Sequence, residues 1–128
     1  MKCILFLGLC LLLCISYGCE LAGSNDPVRE FIPGTYIRYS SHEFGTEHDT
    51  LMIAAQHTDA NTYSITRRWK YERILDGVLI EPEYKLTVTS GLYDPEQRLL
   101  QENESGNIFS FDPERNMLFD GHTKYTKL

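Results

Sequence analysis

The sequence predicts an all-β protein, a small antiparallel up-and-down barrel of about eight strands behind an N-terminal export segment. Three observations carry this reading. Alternating side chains run through long stretches, most clearly Asn61 to Arg73, and no window after the leader sustains the i, i+3, i+4, i+7 pattern of a helix. Tight-turn signals recur between the alternating runs, Asp76-Gly77 being the strongest two-residue hairpin signal among them. Finally, all four cysteines fall within the first 19 residues, so no disulfide staples the rest and a packed core must hold it.

The first 18 residues are an export signal. Met1-Lys2 opens it, mostly apolar residues fill Cys3 to Ile15, and Ser16-Tyr17-Gly18 precedes Cys19. At 1.5 Å per residue, that apolar run spans roughly 20 Å. A bilayer core is about 30 Å thick, so the run is too short for a comfortable crossing. Residues 1–18 are read as the leader, 19–33 as a tether and 34–128 as the barrel domain. Ala22-Gly23-Ser24-Asn25-Asp26-Pro27 has the small, polar composition of a flexible linker.

The end of the leader resembles the lipobox of bacterial lipoproteins through Gly18 and Cys19. Ser16 stands where leucine is usual, and Tyr17 is bulkier than the common residue. The resemblance implies acylation of Cys19 and tethering in the cell envelope, with the outer membrane as the expected site. Two or more acyl chains hold a protein firmly to a bilayer. The alternative is an ordinary signal cut that leaves Cys19 as a lone thiol.

Each strand follows from its residues. Thr35 to Ser40 is rich in strand formers, and Thr50 to Gln56 is a short, largely apolar run. In the third run Tyr63, Ile65, Arg67, Trp69 and Tyr71 share one face, and Ser64, Thr66, Arg68, Lys70 and Glu72 share the other. After the Asp76-Gly77 hairpin, Tyr84, Leu86 and Val88 lie opposite Lys85, Thr87 and Thr89. Gly77 and Pro82 argue against a helical turn at Ile74-Leu75/Val78-Leu79.

An internal echo follows. Tyr93-Asp94-Pro95-Glu96 and Phe111-Asp112-Pro113-Glu114 stand 18 residues apart, and each leads to an apolar pair, Leu99-Leu100 and Met117-Leu118. Each copy ends a strand on an aromatic residue, turns through Asp-Pro-Glu and restarts. Glu104-Ser105-Gly106-Asn107 supplies the return turn, and Gly121 to Lys127 is the last strand. Closure into a barrel, or folding over into a sandwich, removes the exposed edges of such a meander.

Pro33-Gly34-Thr35-Tyr36 is similar to the Gly-x-Trp opening of lipocalin-like barrels, with tyrosine in place of tryptophan. With the closing Gly121-x-x-x-Tyr125 it resembles the small lipocalin-like lipoprotein domains of bacteria. The resemblance implies a barrel interior that is filled or holds one small ligand, and it implies no catalytic residue.

Residues 19–128 carry 18 acidic and 11 basic side chains, a net charge near −7, and no basic stripe. Such a surface repels phosphate backbones, so nucleic acid is not an expected partner. There is no Gly-x-Ser-x-Gly, no cysteine beyond Cys19 and no glycine-rich phosphate loop. The chain is therefore read as a non-enzyme without a cofactor. His42, His48, His57 and His122 do not have the spacing of a metal site, and His42 and His48 are read as flanking a hairpin turn near Gly45.

The candidate ligand-binding residues are Tyr63, Arg67, Trp69 and Tyr71. An inward Arg67 either anchors an anionic group beside aromatic walls or is held by an ion pair that plugs the barrel. The expected function is a membrane-anchored binding or interaction module for a small apolar or anionic ligand or an envelope protein. The alternative is an accessory subunit of a larger envelope complex with a filled barrel.

Overall fold

The computed structural model describes residues 26–56 and 61–128. A short helix, α1 (Pro27–Phe31), precedes nine strands. These are β1 (Gly34–His42), β2 (Gly45–Ala55), β3 (Thr62–Leu75), β4 (Val78–Leu79), β5 (Glu83–Asp94), β6 (Leu99–Glu102), β7 (Ile108–Asp112), β8 (Met117–Asp120) and β9 (Thr123–Lys127). All pairings are antiparallel. β1, β2, β3, β5, β6, β7, β8 and β9 pair in sequence, and β9 returns to β1 through Tyr36↔Lys127 and Ile37↔Thr126. Eight strands thus close a barrel, the architecture expected of a lipocalin-like domain, and a sandwich is ruled out. β4 lies outside the ring and prolongs the β3 hairpin across Asp76-Gly77.

The alternating residues set the two faces. Tyr36, Leu51, Ile53, Tyr63, Ile65, Tyr93, Leu100, Phe109, Leu118 and Tyr125 point inward at one end and are buried there as a single core. The echoed turns sit below this core. In both, the aspartate accepts backbone N–H bonds, Asp94 from Glu96 at 2.9 Å and Asp112 from Arg115 at 3.2 Å. Both turns end on a left-handed residue, Arg98 (φ 57°) and Asn116 (φ 61°).

Helix α1 closes this end as a floor. Asp26 caps it, accepting from the N–H groups of Val28 (3.1 Å) and Arg29 (3.2 Å), and Pro27 suits the first turn. Val28 and the following Ile32 plug the core. Tyr93 donates to Asp26 at 2.7 Å, and Tyr36 donates to the carbonyls of Phe31 (2.8 Å) and Ile32 (2.9 Å). Lys127 Nζ lies 4.3 Å from the centre of the Phe31 ring and donates to the Phe31 carbonyl. Residues 26–33, read from sequence as the end of the tether, are therefore built into the domain. Their Asp-Pro pair is a helix start rather than a linker turn. The leader, Cys19 and the remainder of the tether lie outside the described residues.

Burial works to raise the Asp26 carboxyl, but hydrogen bonds from Tyr93 and the helix N–H groups, with the Arg98 charge, hold it below the usual carboxylate range. The charged form is favoured in the folded chain. Its stabilisation is therefore present above the ordinary aspartate range and is lost as pH falls through the lowered value.

The other end is uneven. β1, β2, β3 and β5 have 9, 11, 14 and 12 residues, and β6 to β9 have 4, 5, 4 and 5. The long strands rise past the short ones as an open flange, because turns interrupt the later sequence at Glu104-Ser105-Gly106-Asn107 and Gly121-His122. This opening forms the mouth of the barrel.

Candidate ligand-binding mouth

Above the core the inner face becomes polar. Arg38, Glu47, Asp49, Arg67, Trp69, Tyr71, Lys85, Thr87 and Glu102 follow the inward register of the buried residues below them. Asp49 is fully buried at the boundary. Arg67 reaches diagonally across β2 and β3 and grips it, with Nε 3.0 Å from Oδ1 and Nη2 2.5 Å from Oδ2. Tyr125 donates its hydroxyl to the same carboxylate at 2.7 Å. The hydrogen bond that Arg67 donates to Asp49 raises the Arg67 pKa against the opposing effect of burial, so the guanidinium stays charged. Burial and the Asp49 charge push the Tyr125 hydroxyl up. Burial also lifts the Asp120 carboxyl above its usual range, with Arg67 pulling the other way.

The Arg67 side chain remains 37% exposed and faces a cavity of about 470 Å³. Ile65, Arg67 and Trp69 from β3, Lys85, Thr87 and Thr89 from β5, and Glu102, Ser105 and Asn107 around the β6–β7 turn line it. The cavity exists because β6 stops at Glu102 while β5 continues upward. Its wall is a notch spanned by side chains.

Trp69 is held in place. Its indole donates to Glu47 at 2.6 Å, Glu47 also pairs with Arg38 at 3.3 Å, and the Tyr71 ring stacks on it at 5.7 Å with the planes 9° apart. Tyr71 can lie flat because Gly45 is beneath it. A Cβ at Gly45 would come within 2.9 Å of the Tyr71 ring and 2.5 Å of the Glu72 carbonyl. The aromatic shelf is thus positioned before any ligand arrives, which reduces the ordering cost of binding.

The four candidate residues separate by height. Arg67 and Trp69 line the cavity. Tyr71 supports Trp69 from the rim. Tyr63 lies in the closed core, edge-on to Tyr93 at 6.4 Å, and does not reach the cavity. Arg67 is ion-paired with Asp49 on one side and open to the cavity on the other. Lys85, Thr87, Thr89, Glu102, Ser105 and Asn107 were not singled out from sequence as lining residues. The period-2 pattern of β5 gave the face of the first three, and nothing local marked the turn.

His42 and His48 do flank the Glu43-Phe44 turn, but on opposite faces. His42 is on the inner face and accepts from the Phe44 N–H at 3.2 Å, and His48 is outside against Tyr39. His122 is in the β8–β9 turn, and His57 lies outside the described residues. Among the described residues no cluster of three potential metal ligands occurs.

No protein-family model matches this chain, and no curated protein or solved structure matches it.

Proposed function

We propose that the protein is an exported, lipid-anchored, non-enzymatic binding module of the bacterial cell envelope, taking a small ligand in the mouth of the barrel. The observation that carries the reading is the cavity itself, which has an immobilised indole on one wall and two cations, Arg67 and Lys85, beside it. Its volume falls in the range of small-molecule sites, and polar side chains from β3, β5 and the β6–β7 turn converge on it. The chemistry suits a ligand with a flat ring for Trp69 and an anionic or strongly accepting group for Arg67 and Lys85. The packed floor supports entry from the open end alone. The anchor rests on Cys19 and its lipobox-like context. Attachment there would leave the short stretch from Glu20 to Asn25 between the membrane and the floor of the barrel.

One preparation tests both parts. Cys19→Ser is expected to shift the chain from the membrane to the soluble fraction. Retention unchanged from wild type would contradict acylation. The released protein is then titrated with 1-anilinonaphthalene-8-sulfonate, an anionic ring compound, while the emission of Trp69, the single tryptophan, is followed. A saturable one-to-one change is expected, weakened by roughly tenfold in Lys85→Glu, the loss of about 1.4 kcal/mol. Binding that ignores Lys85→Glu, or no binding, would remove the mouth as the site.

A further inference from the structure

The barrel wall is closed at the floor and open at the flange. β5 pairs with β3 as far as Glu83, yet β6 meets β5 only from Gly91 to Asp94. Among the described residues no strand covers the other edge of β5 from Glu83 to Thr89. The backbone bonds at its far end show which residues face that edge. The Ser90 carbonyl accepts from Asn103 N–H at 2.9 Å on the β6 side, and Tyr93 N–H donates to Asn61 on the β3 side at 2.7 Å. Hydrogen-bonding direction alternates along an extended strand. Tyr84, Leu86 and Val88 therefore turn both their N–H and C=O groups to the free edge. The same three side chains form the outer face and are 72%, 64% and 64% exposed. A long apolar edge with unsatisfied backbone groups is a template for another strand.

We infer that this edge pairs with the same edge of a second copy, antiparallel about a twofold axis at Leu86. The sequence around Leu86 is self-complementary in that register. Leu86 meets the partner's Leu86, and Tyr84 meets the partner's Val88. All are edge-facing residues, so every N–H meets a carbonyl. The outer faces merge into one apolar patch of tyrosine, leucine and valine from both chains. On the inner face Lys85 meets the partner's Thr87 and Glu83 meets the partner's Thr89, so no like charges stand directly opposite. A slip of one residue turns the backbone groups away and puts apolar side chains beside polar ones. The edge of β1 past β9 is a poorer template, offering only Tyr39 and Ser41 beside Arg38. An isologous pairing of this kind closes on itself.

The test is the mass of the full-length chain in detergent by size exclusion with light scattering. Wild type is expected at twice the chain mass at tens of micromolar. Leu86→Lys places two ammonium groups opposite each other and is expected to raise the dissociation constant at least about tenfold. Its circular dichroism should be unchanged, because this side chain is exposed. In the hydrogen-bonded register the two Leu86 Cα atoms lie about 5.5 Å apart, within disulfide reach. L86C chains are therefore expected to cross-link to each other at that position, as read by peptide mass mapping, and Y84C chains are not. A wild-type chain of single mass, a double mass that survives Leu86→Lys, or L86C chains without that link would each overturn the proposal.

Discussion

Replacing Arg67 with alanine is expected to cost about 3–5 kcal/mol of folding stability, a large part of the 5–15 kcal/mol typical of a domain. The reason is asymmetry within the pair. Asp49 has no exposed side-chain surface, whereas Arg67 is 37% exposed. Without Arg67, a buried carboxylate keeps one hydrogen bond, from Tyr125. Without Asp49, the guanidinium still reaches water in the cavity, and Asp49→Ala should cost only about 1–3 kcal/mol. The double variant is expected to be more stable than Arg67→Ala alone, because no orphaned charge remains. Urea unfolding of the four chains measures this. An Arg67→Ala chain no less stable than Asp49→Ala would show that the carboxylate is not sealed from solvent.

The second large effect is at the floor. Tyr36 is fully buried, packs with Phe31 and Phe111, and holds the end of helix α1 through two hydrogen bonds. Tyr36→Ala is expected to cost about 3–5 kcal/mol, from lost packing and an unfilled cavity. Tyr36→Phe keeps the ring and should cost about 1–2 kcal/mol. The smaller figure reflects that Lys127 still serves the Phe31 carbonyl, so the Ile32 carbonyl is the group left short. Equal losses in the two variants would mean that the hydroxyl, and not the ring, holds the floor. Either substitution should loosen α1 before the barrel, whose strands keep their own backbone pairing on both sides.

The barrel was legible in the sequence because its turns are locally encoded. Asp76-Gly77 and the two Asp-Pro-Glu turns announce themselves within four residues, and the alternation of Tyr63 to Tyr71 fixes a face without tertiary information. Alternation gives a face but no height. Tyr63 and Trp69 share a period, yet one is in the core and the other lines the mouth. Asp49 is not legible as the partner of Arg67 for a related reason. The polar run His42 to Asp49 hid the first half of β2, so the strand was read from Thr50 and the partner of Arg67 fell one residue outside it. Helix α1 is five residues long, too short for a hydrophobic period, and its Asp26-Pro27 start also reads as a linker. On β5 the apolar residues Tyr84, Leu86 and Val88 face outward, the reverse of the usual order. Pairing of that edge with a second copy would account for the reversal.

The upper half of the barrel is open beside Trp69 rather than filled. Acrylamide, a neutral quencher, tests it most directly on the native protein. Acrylamide is expected to quench Trp69 readily, and 1-anilinonaphthalene-8-sulfonate to shield it in a saturable manner. Blue-shifted emission that acrylamide does not reach would mean a filled interior and no open mouth.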